Sequence, residues 1–249
     1  MLARAITSLQ HPIVKKIIKL KEDSSFRFSE QLFVLTSDKI IAEANRTHPI
    51  QLLLHLPDAV LAKQLNAKEK ITVSKEVLLK CVGNVNQDTC LAVFPLLTPS
   101  ADYRFPWLIF DSIQDPGNIG TLMRSAMAFN FPTLFFLDQC CDVYNDKVIN
   151  AARGAHFHLS FHAMSSQAVL ALIAEKKGFL YYADTHGLPL EKMPGTPRAC
   201  LVLGNEGRGV LQKIKSCGQP LTIPMAQGVE SLNVAVAGSI IMHEMKGYL

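Results

Sequence analysis

The sequence predicts an α/β protein whose second part is built on a mostly parallel sheet with helices on both faces. Two observations carry this. From residue 107 onward, short apolar runs of strand character alternate with helical segments, the pattern that builds parallel sheets. Of the 249 residues, 49% are apolar and only 18% are charged, which is enough to bury a sizeable core. A third observation divides the chain. The stretch Leu97-Thr-Pro-Ser-Ala-Asp-Tyr-Arg-Phe-Pro106 mixes turn formers with breakers and reads as a linker. The expected organisation is a small α/β domain over 1–97, a linker over 98–106 and a larger α/β domain over 107–249.

The elements follow in order. A basic helix is expected at roughly 11–22, opened by His11-Pro12. Strands at Leu32–Leu35, Gln51–His55, Ile71–Val73 and Cys90–Phe94 alternate with short helices. Beyond the linker, strand-like runs lie at Trp107–Asp111, Thr133–Asp138, His156–Phe161, Phe179–Ala183, Ala199–Leu203 and Leu221–Ile223. Helices fall between most of them, at Ile119–Phe129, Val143–Ala152, Ser165–Lys177 and Val210–Ser216. The last helix, 230–246, holds almost nothing but small and apolar residues before His243 and Glu244, so burial is expected. Yet it begins with Ser231 and Asn233, and polar groups at the mouth of a buried helix need partners.

Composition narrows the class. No apolar run reaches the roughly 18 residues that span a bilayer. The start, Met1-Leu-Ala-Arg-Ala5, lacks the apolar core of a secretion signal. Six cysteines without a Cys-x-x-Cys pair read as reduced thiols of a cytoplasmic protein. Residues 1–97 carry 13 Lys/Arg against 9 Asp/Glu, whereas 98–249 carry 12 of each, so the whole net charge of +4 sits in the first part. It is densest at Arg4, Lys15, Lys16, Lys19, Lys21 and Arg27. A basic lobe beside a neutral one suits a polyanion partner, although an ordinary solvated helix face has the same composition.

Three segments follow strand ends in the second part, where parallel sheets bind ligands. In the first, Asp115-Pro116-Gly117 turns the chain, Asn118 is placed to cap a helix and Arg124 lies six residues on. Asn130 is placed to end that helix in the left-handed conformation. A surface salt bridge is the plain alternative for Arg124. In the second, Leu203-Gly204-Asn205-Glu206-Gly207-Arg208-Gly209, three glycines permit close backbone approach by a ligand. Their spacing and late position match neither a dinucleotide fingerprint nor a P-loop. Glu206 is there either functional or merely solvated. The third is Ile223-Pro224-Met225 followed by Ser231-Leu232-Asn233. Helix capping accounts for Ser231 and less well for Asn233. His156, His158 and His162 suggest a metal only weakly, because no carboxylate is spaced to complete a site.

Together and in this order, the segments resemble the SpoU (TrmH-like) family of RNA ribose 2′-O-methyltransferases, part of the SPOUT superfamily. Asn118-x-Gly120-x3-Arg124-x-Ala126, Leu203-Gly204-Asn205-Glu206-Gly207 and Ile223-Pro224-Met225 with Ser231-Leu232-Asn233 match its three motifs. Lys147–Ala155 resembles an intermediate segment, with Arg153 where a small residue is usual. Residues Ile6–Lys15 resemble the opening of an L30e-like substrate-binding domain, whereas Phe33–Ser37 departs from that pattern.

The resemblance implies a deep trefoil knot holding S-adenosylmethionine, with no metal, and a homodimer with the active site at the subunit interface. It implies Arg124, Asn118, Glu206, Ser231 and Asn233 as catalytic residues. It places Leu203, Gly204, Gly207, Ile223, Met225 and Leu232 around the cofactor, and Lys15, Lys16, Lys19 and Arg27 on the RNA. The substrate would be RNA, ribosomal rather than transfer RNA. A different class remains in view: an RNA-binding or ribosome-assembly protein with a vestigial cofactor pocket.

Overall fold

The computed structural model describes residues 5–83 and 88–246, and Arg4 lies outside them. Two compact units emerge, Met1–Leu97 with Tyr144–Ile149, and Thr98–Val143 with Asn150–Leu249.

The first unit runs α1 (Pro12–Glu22), α2 (Ser24–Glu30), β1 (Leu32–Leu35), α3 (Asp38–Ala44), β2 (Ile50–His55), α4 (Val60–Gln64), β3 (Ala67–Thr72), α5 (Lys75–Val82) and β4 (Cys90–Pro95). The sheet order is β1-β4-β2-β3, antiparallel except for the parallel pair β2–β3. Helix α1 starts where expected because Pro12 is pre-set for the first helical position and His11 Nδ1 accepts from the Ile13 amide. Val14, Ile17 and Leu20, three residues apart, are buried against Leu54, Val77 and Leu91. Strand β3 begins four residues earlier than its apolar stretch suggests. Lys68, Glu69 and Lys70 are exposed on this edge strand, and edge charges hide a strand from an apolarity pattern while protecting it from aggregation.

The rest of the chain runs β5 (Trp107–Asp111), α6 (Pro116–Ala128), β6 (Thr133–Phe136), α7 (Asp146–Ala152, whose first four residues count with the first unit), β7 (Ser160–Ala163), α8 (Ser166–Glu175), β8 (Phe179–Pro189), β9 (Ala199–Gly204), α9 (Gln212–Lys215), β10 (Gln219–Thr222) and α10 (Val234–Met245), and all but that start of α7 belong to the second unit. Its sheet order is β10-β8-β9-β5-β6-β7 and every pairing is parallel. Strand β9 is inserted between β8 and β5. The central strands β5 and β9 are buried along nearly their whole length, as expected of strands covered on both faces.

Two expectations are corrected, and the linker gains detail. The strand drawn over His156–Phe161 is instead a short 3₁₀ turn, Ala155–Phe157, followed by β7. Arg153 and Gly154 adopt positive φ (50° and 91°) and redirect the chain. His156 is buried there with Nε2 2.8 Å from the Val143 carbonyl oxygen. Residues 98–106 form no helix or strand but are packed. Phe105 stacks on Trp107 at 4.3 Å, Trp107 Nε1 donates to the Tyr103 carbonyl, and Thr133 Oγ1 donates to the Arg104 carbonyl. Secondly, α10 starts at Val234 rather than 230, and only part of its circumference is buried. Gly238 faces Leu203 and Leu122, whereas Val236 is 49% and Ile240 36% exposed.

Candidate active site

All strands of the second sheet point the same way, so their carboxyl ends share one edge. Residues 183–185 within β8, the chain after β9 and β10 and the entrance to α10 line a cavity of about 470 Å³ there. That is the size of a small-molecule site.

Three local devices shape it. Strand β8 pairs Tyr182 with Pro220 and then Leu188 with Leu221, so residues 183–187 are an unpaired excess on β8, and Asp184 and Thr185 within it lie on the cavity wall. After β9 the chain doubles back through an Asn205–Gly209 bridge. A side chain at Gly204 would place its Cβ 2.5 Å from the Gly209 carbonyl carbon and the Val210 nitrogen. The glycine expected to admit a ligand is therefore required by the chain's own crossing. Asn205 locks this loop: its Oδ1 accepts from the Gly207 and Arg208 amides and its Nδ2 donates to the Ser112 carbonyl. Buried Asp111 holds the far end of the loop, its Oδ2 accepting from the Leu211 amide at 2.7 Å.

A polar chain lies at the rim. Asp115, not Asn118, caps α6: its Oδ1 accepts from the Asn118 amide at 2.8 Å, with Pro116 at the first helical position. The Asn118 side chain is thereby free to bridge. Its Nδ2 donates to Glu206 Oε1 at 2.6 Å and its Oδ1 accepts from Asn233 Nδ2 at 3.0 Å. Asn233 also caps α10, its Oδ1 accepting from the Ala235 and Val236 amides. Capping thus belongs to Asn233, and the expectation that it explained Ser231 is reversed. Ser231 precedes the cap, is exposed, lines the cavity and makes no hydrogen bond with the described residues. Glu206, Ser231 and Asn233 line the cavity, and Asn118 reaches it through the other two.

Arg124 stands apart. It is exposed on α6, makes neither an ion pair nor a hydrogen bond with the described residues, and does not line the cavity. Six residues separate it from Asn118, which on a helix is about 120° around the axis. The salt-bridge alternative for Arg124 is therefore absent among the described residues. Asn130 ends the helix at φ 59°, as expected.

Among the residues assigned to the cofactor, Gly204, Gly207, Ile223, Met225 and Leu232 line the cavity. Leu203 does not; it is fully buried beneath Gly238. In the first unit, Lys15, Lys16 and Lys19 are exposed on α1, with Lys16 paired to Glu30 and Lys19 lying 4.4 Å over the Phe26 ring. Arg27 leaves this group. It is 2% exposed, and its guanidinium donates to the Leu20 and Lys21 carbonyls, which close α1. Lys21 similarly donates to the Cys81 and Val82 carbonyls at the end of α5.

Sequence reasoning passed over Asp184, Lys215 and Arg208, all on the cavity wall. Asp184 Oδ2 accepts from Lys215 Nζ at 2.7 Å, and Oδ1 accepts from the His186 amide. Burial works to raise the Asp184 pKa, but these hydrogen bonds and the lysine charge outweigh it and hold the carboxyl below its ordinary value. The signal in the sequence was an acidic residue just past an apolar strand. In a parallel sheet that position faces the ligand edge.

Strand order, the cavity at the carboxyl edge and the three segments around it define the class: α/β RNA methyltransferases of the SpoU kind. The model of the SpoU rRNA Methylase family matches residues 106–243, and the chain belongs to that family. It is 33% identical over 142 residues to the 23S rRNA (guanosine(2553)-2′-O)-methyltransferase RlmP of Bacillus subtilis, a match covering 56% of this chain and 57% of that protein. The chain thus spans little more than half the length of that relative. It is 27% identical to an uncharacterized tRNA/rRNA methyltransferase of Synechocystis, over 97% of this chain and 93% of that one. The fold superimposes with a TM-score of 0.87 on the SpoU methyltransferase AviRb from Streptomyces viridochromogenes, solved with AdoMet, at 23% identity over 96% and 98% of the chains.

Proposed function

We propose that this protein transfers a methyl group from S-adenosylmethionine to a ribose 2′-hydroxyl of RNA, with ribosomal RNA as substrate. The observation that carries the reading is the Glu206–Asn118–Asn233 chain at the rim of a cavity sized for the cofactor. The cavity lining mixes apolar residues, among them Leu221, Ile223, Leu232 and Ile241, with polar ones, which fits a ligand with an apolar ring and several polar ends. When bound, the cofactor supplies an electrophilic methyl group on a sulfonium.

The residues of this chain then orient and polarise. Glu206 fixes the Asn118 amide, and Asn118 fixes Asn233, so the rim meets the ribose as a preformed set. Glu206 Oε2 accepts no hydrogen bond from the described residues and is open to the hydroxyl proton. An arginine is not deprotonated in proteins, so Arg124 acts as a cation that orients the substrate and stabilises developing negative charge. Because Arg124 does not line its own chain's cavity, the reading includes a homodimer that brings it to the partner's. Exposed Met127 on α6, with Val236 and Ile240 on α10, supports an apolar contact there. The same reading includes the trefoil knot, supported by β9 lying between β8 and β5 and by α10 returning onto β9 and α6. Lys15, Lys16 and Lys19 would contact phosphates.

Mapping 2′-O-methyl sites across total RNA with and without the protein tests the assignment: one lost ribosomal site is expected, and none lost sinks it. Arg124→Ala should reduce methyl transfer at least 100-fold while leaving cofactor affinity within about threefold. Loss of cofactor binding with residual turnover would remove Arg124 from its role.

A further inference from the structure

We infer that Asp184, held by Lys215, receives the ribose hydroxyls of the cofactor and sets specificity for a ribonucleoside ligand. The inference rests on the reading that S-adenosylmethionine occupies this cavity, and it concerns two residues outside the three motifs. Asp184 and Lys215 both line the cavity, and their side chains remain only 21% and 28% exposed.

An ion pair on a ligand wall needs a reason. A net charge does not supply one, because the pair is neutral as a unit. Its geometry supplies a better one. A carboxylate offers about four lone-pair sites. Lys215 Nζ engages Oδ2 and the His186 amide engages Oδ1, one partner on each oxygen. Each oxygen keeps acceptor capacity, and the two together suit two adjacent hydroxyl donors. A vicinal ribose diol is that ligand, and an acidic side chain near a strand end recognises the ribose of dinucleotides by the same chemistry.

The surroundings hold the carboxylate in place. The bulge at residues 183–187 aims Asp184 at the cavity, and Thr222 Oγ1 donates to the Thr185 carbonyl, tying the bulge to β10. Lys215 lies 5.7 Å over the Tyr182 ring, which limits its swing. Glu206, Asn233 and Ser231, the groups assigned to the substrate ribose, belong to other segments of the wall. The Asp184–Lys215 pair is thus available to a second ribose, that of the cofactor.

The test is calorimetric titration of the full-length protein with S-adenosylhomocysteine and with its 2′-deoxyadenosyl analogue, which needs no RNA and no turnover. Wild-type protein should bind the deoxy ligand about tenfold more weakly. Asp184→Asn should lose about tenfold for the ribo ligand and almost nothing further for the deoxy one. Lys215→Met, which keeps the carboxylate but loosens it, should lose about threefold, again only for the ribo ligand. Equal wild-type affinity for the two ligands overturns the assignment without any variant, and so does an equal loss for both ligands in Asp184→Asn. Wild-type protein that binds neither ligand overturns the cavity reading itself, so the two failures are distinct.

Discussion

The two sheets of this protein are made from similar strands and differ in direction. In the first unit β4 runs against both of its neighbours, so strand ends alternate and loops leave from both edges. In the second unit all pairings are parallel, and the loops after β9 and β10 converge with residues 183–185 of β8 on one cavity. Convergence is what builds a concave site. The first unit presents a helix with three exposed lysines. The proposed function divides along the same line, with the small-molecule cavity on one unit and the exposed lysines on the other.

The largest expected effect contrasts two glycines. Gly204→Ala forces Cβ into the returning backbone, at a cost of about 3 kcal/mol. The melting temperature of the second unit should fall by roughly 6–12 °C, and binding of S-adenosylhomocysteine should be lost. Gly83→Ala in the first unit meets only the tip of Lys21 but sits at φ 85°, so strain costs about 1 kcal/mol. Cofactor binding should be unchanged there. If calorimetry shows Gly83→Ala weakening the ligand as Gly204→Ala does, the division of labour between the units is wrong.

Next is Asn233→Ala. It removes the α10 cap, worth about 1 kcal/mol, and cuts the link to Asn118. Methyl transfer should fall about 100-fold, measured in single turnover, with ligand affinity within about threefold.

Acid should then separate the units through His156. Burial holds its pKa down to about 4, so the folded state keeps it neutral. Above about pH 6.5 this costs nothing. As the pH falls from there towards 4, the unfolded chain takes up the proton first and stability drops, by about 2 kcal/mol at pH 5. Urea unfolding at pH 7 and pH 5 should show that drop in wild type and lose it in His156→Gln. An unchanged pH dependence would remove His156 from the acid response.

The smallest effect belongs to the first unit. Each of Lys15→Ala, Lys16→Ala and Lys19→Ala should weaken RNA binding a few-fold and flatten its salt dependence by about 0.7 in slope. None should alter cofactor affinity. Lys16, already paired with Glu30, should matter least. A shift in S-adenosylhomocysteine affinity in any of the three would overturn the proposed division between the units.

Legibility in the sequence divides along similar lines. The strands at Trp107 and Ala199 were plain because they are buried on both faces and hence apolar throughout. The edge strand β3 was not, since its exposed face carries lysines. The rim residues were legible as a set, but not their jobs. Asp115 took the cap expected of Asn118, and Asn233 took the cap expected of Ser231, because a capping residue is defined by backbone geometry that shifts by two or three positions without changing the local composition. Arg27 looked like its neighbouring lysines and was separated from them only by burial. Asp184 and Lys215 lie 31 residues apart and meet through a register shift between two strands, which no local pattern announces.

Strand β9 occupies the middle of its sheet although it is made after β5, β6, β7 and β8. On a ribosome, β5–β7 and β8 leave the exit tunnel with the gap between them still open. Trp107 waits for Cys200, its register partner, 93 residues downstream. Such distant pairing is slow, and until it forms two strand edges lie bare to other chains. The cavity is thus the last part of the molecule to exist. The cavity can receive a ligand only after Gly204 has turned the corner behind β9.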